Sequence, residues 1–173
     1  MHIHAIPDYA LSQNNKKCQL FLWTIFTHHF NRINITVALW ERTCFVYKPI
    51  MTLLELQSFL TDAEVVAFDF ETAPDALYRN YDKAALDPHQ AHIVGISFSV
   101  AEGDAVYLPL AHRSGENAAD QVEIWAWLTE NLFQSNSIVK VAHNLAFEAS
   151  FLYARGIVLQ EPCYDTIAAA QLA

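Results

Sequence analysis

The stretch Val65-Val66-Ala67-Phe68-Asp69-Phe70-Glu71-Thr72 decides the fold. It is rich in β-branched and aromatic side chains, holds no Pro or Gly, and has turn-formers on both sides. That is the composition of a buried β-strand. Successive strand side chains point to opposite faces, so Val66, Phe68 and Phe70 share one face, while Val65, Ala67, Asp69 and Glu71 share the other. Asp69 and Glu71 then lie side by side, roughly 6.5 to 7 Å apart at about 3.3 Å per residue. Two carboxylates at the end of an apolar strand repel each other and lose hydration, which a bound cation or a raised pKa relieves. A plain strand end with its acids turned to water has the same local composition, so the flanking sequence must decide.

The pattern around this strand is orderly. Thr52 with Glu55 three residues on forms a capping box for a short helix carrying Leu53, Leu54, Leu56 and Leu60. Residues 73–92 make a long polar loop with Pro74 and Pro88, a length that is often functional. Tyr78 and Tyr81 within it have the chemistry to stack on bases, although exposed tyrosines are common. Residues 93–100 read as a second strand, Gly103-Asp104 as a turn and residues 105–110 as a third strand, an antiparallel meander. Asn117 is the expected cap of a helix over about 118–133, with Val122, Trp125, Leu128, Leu132 and Phe133 as its buried stripe. Its tryptophans read as core. A fourth strand over 138–142 runs into His143 and Asn144, and Asn is a good N-cap for a helix over 145–155 that stops at Gly156. Residues 157–159 suit a short fifth strand, and Asp165-Thr166 begin a last helix. The order predicts an α/β domain, a mixed five-stranded sheet with flanking helices.

Composition agrees with one domain over residues 51–173, preceded by an extension. Of 173 residues, 53% are hydrophobic and 17% charged, which fits a packed core. Residues 1–50 hold five Lys/Arg and two Asp/Glu (+3), and residues 51–173 hold five and seventeen (−12). The acidic body excludes a broad basic nucleic-acid footprint, but not a nuclease whose metal ions supply local positive charge. Residues 1–50 contain no Gly and no sustained apolar period, so they read as a poorly patterned extension, with Met51 as a plausible start. The apolar run 20–26 after Lys16-Lys17 lacks a cleavage site and is too short to span a bilayer. His2, His4, His28 and His29 have no Cys or acidic partners at ligand spacing, and Cys18, Cys44 and Cys163 form no framework. No membrane association and a reducing cytoplasm are the expectations.

Helix periodicity singles out a third acid. Glu148 shares the apolar stripe of Leu145, Phe151, Leu152 and Arg155, so it is expected near the sheet, unless Arg155 neutralises it as a structural ion pair. Asp69-x-Glu71 on a first strand, followed by Asn144-x-x-Phe147-Glu148 opening a helix after the fourth, resembles the 3′–5′ exonuclease domain of the DNA polymerase I family. Ile93-Val94-Gly95-Ile96-Ser97-Phe98 is similar to that family's second strand. Tyr107-Leu108-Pro109-Leu110-Ala111-His112 is similar to its third strand and following turn, and Tyr164-Asp165-Thr166 to its aromatic-Asp-Thr segment. The likeness covers residues 53–173.

The resemblance implies an RNase H-like exonuclease fold and a proofreading-type module that removes nucleotides from a single-stranded DNA 3′ end. It also implies a two-metal Mg²⁺ or Mn²⁺ site. In that site Asp69 would bridge the ions, Glu71 would ligate the one holding the attacking water, and Glu148 the other, through an outer-shell water. Thr72 and Asn144 would position the terminal nucleotide. Asp165 would cap the last helix and is not expected as a ligand. Two departures stand out: the family has Asp where this chain has Glu148, and its third motif, Tyr followed four residues later by Asp, does not occur downstream of the second motif. The fourth carboxylate is therefore absent, and residues 51–173 are expected to be an incomplete module of low or no activity, with any polymerase domain lying elsewhere. Two other readings stay open. One is an RNA-trimming relative resembling RNase D, which the matches around Gly95 and Pro109 disfavour. The other is a nonenzymatic nucleic-acid-binding or scaffold domain with a relict site.

Overall fold

In the computed structural model, which describes residues 48–113 and 115–172, the capping box at Thr52 is formed. The Thr52 hydroxyl accepts from the Glu55 amide (3.3 Å), and the Glu55 carboxylate accepts from the amides of Thr52 (3.1 Å) and Met51 (2.9 Å). The helices are Leu53–Leu60 (α1), Gln121–Leu128 (α2), Leu145–Ala154 (α3) and Thr166–Leu172 (α4). The strands are Lys48–Pro49 (β1), Val65–Pro74 (β2), Ala91–Ala101 (β3), Asp104–Pro109 (β4), Val139–Ala142 (β5) and Cys163–Asp165 (β6).

The strands form one mixed sheet in the order β1-β4-β3-β2-β5-β6. Antiparallel register sets Phe68 opposite Phe98, Asp69 opposite Ser97 and Glu71 opposite Gly95, with a bulge between Glu71 and Thr72. β5 runs parallel to β2 but pairs only with residues Val65, Val66 and Ala67. The period-2 alternation of β2 separates two faces. Val66, Phe68 and Phe70 enter the main core with Ile96, Phe98, Leu108, Ile124, Leu128 and Phe151, whereas Ala67 joins Val141 in a small cluster on the other side. Phe68, Phe70 and Phe133 pack with ring centroids 5.4 to 6.2 Å apart. This is the α/β arrangement, a mixed sheet with flanking helices, expected from the sequence.

The structure departs from that expectation in specific places. The sheet has six strands, because Lys48–Pro49 pairs with β4 and Ile50 is buried in the core. The rest of the expected extension, residues 1–47, lies outside the described residues. Residues 157–159 are no strand: Ile157 tucks its side chain into the core while its amide bonds to Leu152, and Gln160 bonds to Phe133. The edge of β5 is instead met by Cys163–Asp165. Asn117 caps no helix. Its Oδ1 accepts from the His112 amide (2.8 Å) and its Nδ2 donates to the His112 carbonyl (3.1 Å). α2 starts later, after Asp120, and points Val122 to solvent, with Ile124 taking the buried place. Residues Thr129–Phe133 continue it as a wider π-helical turn, and the consecutive Leu132 and Phe133 are both buried. Among the described residues no helix is long and apolar enough to cross a membrane.

Asn144 does not cap α3 with its side chain either; it sits at φ 65° and ψ 52°. The cap comes from across the sheet. The Asp165 carboxylate accepts from the amides of Asn144 (3.0 Å) and Leu145 (3.0 Å), and also from Ile167 (2.9 Å) in α4. One side chain therefore terminates two helices, as the aromatic-Asp-Thr segment implied for α4 alone. Asp165→Ala should destabilise the fold by about 2–4 kcal/mol, the sum of two lost caps, in urea unfolding. Asp165→Asn should recover part of it, since an amide oxygen still accepts. A loss below about 0.5 kcal/mol, within the range of an ordinary surface substitution, would contradict this double role.

Candidate active site

The site forms where the sheet opens. β5 ends at Ala142 and pairs with β2 only as far as Ala67. The chain turns at His143 and Asn144 into α3, whose first turn brings Glu148 to the gap. Glu148 is only 1% exposed, and its Oε2 has no hydrogen-bond partner among the described residues. Burial above all, then the Asp69 charge, pushes the Glu148 carboxyl up to about 8; the charge of Asp165 adds to this, and the amides of Glu148 and Phe70 oppose it. The third acid thus lies against protein next to Asp69, as its helix stripe predicts.

The rival explanation for Glu148 does not hold. The Arg155 guanidinium instead stacks on Trp125, 3.9 Å from the ring centroid. A buried acid with an orphaned oxygen beside a second acid is short of positive charge.

Glu71 has a second neighbour. Its register partner is Gly95, and its charge reaches the His112 ring, where it partly offsets the burial that pulls the His112 pKa down. Thr72 has committed its hydroxyl to the Ala85 carbonyl (2.6 Å), tying the 75–90 loop to the strand. Asn144 is exposed at the entrance of α3, beside His143, whose Nδ1 meets the Thr166 hydroxyl at 2.9 Å. Tyr78 and Tyr81 pack edge to face in the loop, centroids 5.8 Å apart, with Tyr81 exposed. Asp165, both oxygens already bonded to amides, is a cap.

All-oxygen donors suit a hard divalent cation, and the orphaned Glu148 oxygen fits one. The three acids are not drawn into one cluster, however. Among the described residues no group of three His, Cys, Asp or Glu side chains is poised to hold a metal. Asp69 and Glu148 are paired, and Glu71 is set beside His112. The sequence reading missed that neighbour. Tyr107 and His112 were legible only as part of a likeness, although a Tyr five residues before a His, at the end of a strand, was the available signal.

The family described as 3′–5′ exonuclease matches residues 46–173. A DNA polymerase I of Pseudomonas aeruginosa is 33% identical over 112 residues, covering 62% of this chain and 11% of the relative. One of Chloroflexus aurantiacus is 28% identical over 127 residues, covering 73% and 12%. The chain spans about a tenth of the length of these relatives. Among solved structures, Escherichia coli RNase D superimposes with a TM-score of 0.49 at 16% identity, covering 72% of this chain and 28% of that one.

The raised Glu148 pKa makes stability depend on pH. Unfolded, the group titrates near 4.5; folded, near 8. Between these values the folded state holds a proton that the unfolded state has lost, so the contribution is full below about pH 4.5 and fades as pH rises through 8. In EDTA, Glu148→Gln should therefore be more stable than the parent by on the order of 3 kcal/mol at pH 8.5. The gap should close towards pH 5. A pH-independent difference in urea midpoint would show that Glu148 is not the buried acid described.

Proposed function

The chain belongs to the 3′–5′ exonuclease family, of DNA polymerase I type, and we propose that its substrate is the single-stranded 3′ end of DNA. The observation that carries the reading is the buried Glu148 carboxyl, with one oxygen unpartnered, set beside Asp69 at the open edge of β2. Asp69, Glu71 and Glu148 would hold Mg²⁺ or Mn²⁺. Divalent ions there would supply an activated water and stabilise the departing 3′ oxygen.

The side chains of this chain prepare that chemistry. Glu148 must give up its proton for its orphaned oxygen to become a ligand, and a cation beside it favours that loss, which the Asp69 charge opposes. Thr72, anchored on Ala85, holds the 75–90 loop against the strand end, and Tyr78 and Tyr81 of that loop would offer ring faces on which a base could stack. Asn144, at the exposed start of α3, would contact the terminal nucleotide. Water attack at the last phosphodiester breaks the bond to the preceding 3′ oxygen and releases a nucleoside 5′-monophosphate. The relatives named DNA polymerase I are far longer, and we infer a proofreading role beside a polymerase domain in a reducing cytoplasm.

With Mn²⁺, 5′-labelled single-stranded DNA should shorten stepwise from its 3′ end, faster than an RNA of the same sequence. Asp69→Ala should lower the rate roughly 100-fold or more. Preference for RNA would support the RNase D-like alternative, and an absence of carboxylate-dependent Mn²⁺ binding would support a scaffold with a relict site.

A further inference from the structure

Gly95 lies opposite Glu71 in the β2–β3 register, and the space where its side chain would stand is filled from the next strand. A Cβ built there would collide with Oη and Cζ of Tyr107. Tyr107 belongs to the neighbouring row, opposite Ser97, which is itself opposite Asp69. Its ring leaves that row and lies across Gly95. Directly opposed residues of antiparallel strands have side-chain positions only about 4.5–5.5 Å apart. A ring in the Gly95 space therefore flanks Glu71.

The ring is held there from its far end. Tyr107 Oη and His112 Nε2 share a hydrogen bond of 2.5 Å, with the rings edge to face at a centroid distance of 5.6 Å. His112 is fixed in turn, because the Asn117 amide group bonds both its N–H and its C=O. The turn carrying it is anchored on the bulge after Glu71: the Val94 carbonyl accepts from the amides of Leu110 (2.8 Å) and Ala111 (3.0 Å). Gly95, Tyr107, His112 and Asn117 thus form one connected support beside Glu71.

We propose that Tyr107 and His112 are positioning residues for Glu71, holding its carboxylate in the direction needed to ligate a divalent ion together with Asp69. This rests on the reading of Asp69, Glu71 and Glu148 as metal ligands. Partners behind a metal ligand typically change affinity by about 10- to 100-fold, and a support that acts by limiting side-chain rotation belongs towards the lower end.

The test is Mn²⁺ titration calorimetry on the metal-free full chain, with urea unfolding in EDTA as the control for fold. Tyr107→Phe should weaken Mn²⁺ binding roughly 10-fold while leaving the urea midpoint close to the parent value. His112→Ala should do the same, and His112→Gln, which keeps a nitrogen donor in reach, should recover part of the affinity. In a Glu71→Gln background, Tyr107→Phe should have no further effect. Parental affinity in Tyr107→Phe, or an equal loss with and without Glu71, overturns the proposal. Asp69→Ala keeps the two failures apart. If it binds Mn²⁺ as the parent does, the metal reading falls and this proposal with it; if it loses binding while Tyr107→Phe does not, only this proposal falls. Should Tyr107→Phe lose its fold, the His112→Gln and His112→Ala pair decides in the same way.

Discussion

The structure is organised around a repulsion. Asp69 and Glu148 meet at the open edge of β2, one on a strand and one on a helix, and Glu148 is almost wholly out of water. A buried carboxylate without a counter-charge costs several kcal/mol in real proteins, so the folded chain keeps the acid protonated near neutral pH, at about 8. The amides of Glu148 and Phe70 that favour the ionised acid offset only part of that cost. A Leu at 148 would extend the stripe of Leu145, Phe151 and Leu152 into the same core. Where a fold tolerates such a local cost, the natural explanation is a charge that arrives with the chemistry.

Much of the rest can be read as what is needed to hold two acids close. The main core under Phe68, Phe70 and Phe133 makes the strand rigid on its far face. Asp165 fixes the start of α3 from the neighbouring strand, and through α3 the position of Glu148 one turn later. The cap carries a negative charge, however, and that charge also raises the Glu148 pKa. The same residue thus stabilises the helix and disfavours the ionised acid, and the two effects are separable. The cap acts through short bonds to amides, while the charge acts through space and is weakened by intervening solvent.

What was legible in the sequence follows from how local each signal is. The strand at Val65–Pro74, the capping box at Thr52 and the stripe of Glu148 are set by neighbours within one or two turns. The last strand was missed because an edge strand is chosen by pairing. Ile157-Val158-Leu159 has the better strand composition, yet Cys163–Asp165 meets β5. Asn117 and Asn144 have cap chemistry, but one bonds a turn five residues upstream and the other leaves its helix to Asp165. Arg155 had a plausible acidic partner two turns away and stacks on a tryptophan from another helix instead. Each error substitutes a nearby partner for a distant one. The three acids show the same limit: their residue types were readable, but the pairing of Asp69 with Glu148, apart from Glu71, depends on where β5 stops.

The charge of the whole body bears on how such a site would meet its substrate. Residues 51–173 carry a formal −12, and a nucleic-acid strand is itself a dense line of negative charge. Approach of a phosphate to Asp69 and Glu148 without a cation would set like charges together in a poorly screened gap. Ions held by the acids reverse that sign only locally, within a few ångströms, while the surrounding surface continues to repel. On the proposed reading, affinity for the ions and affinity for the strand end must then be coupled, each raising the other by the same factor. The coupling also explains why an acidic body is compatible with a nuclease of this kind: it discourages binding along the length of a strand and leaves the one place where cations gather as the place where an end can settle.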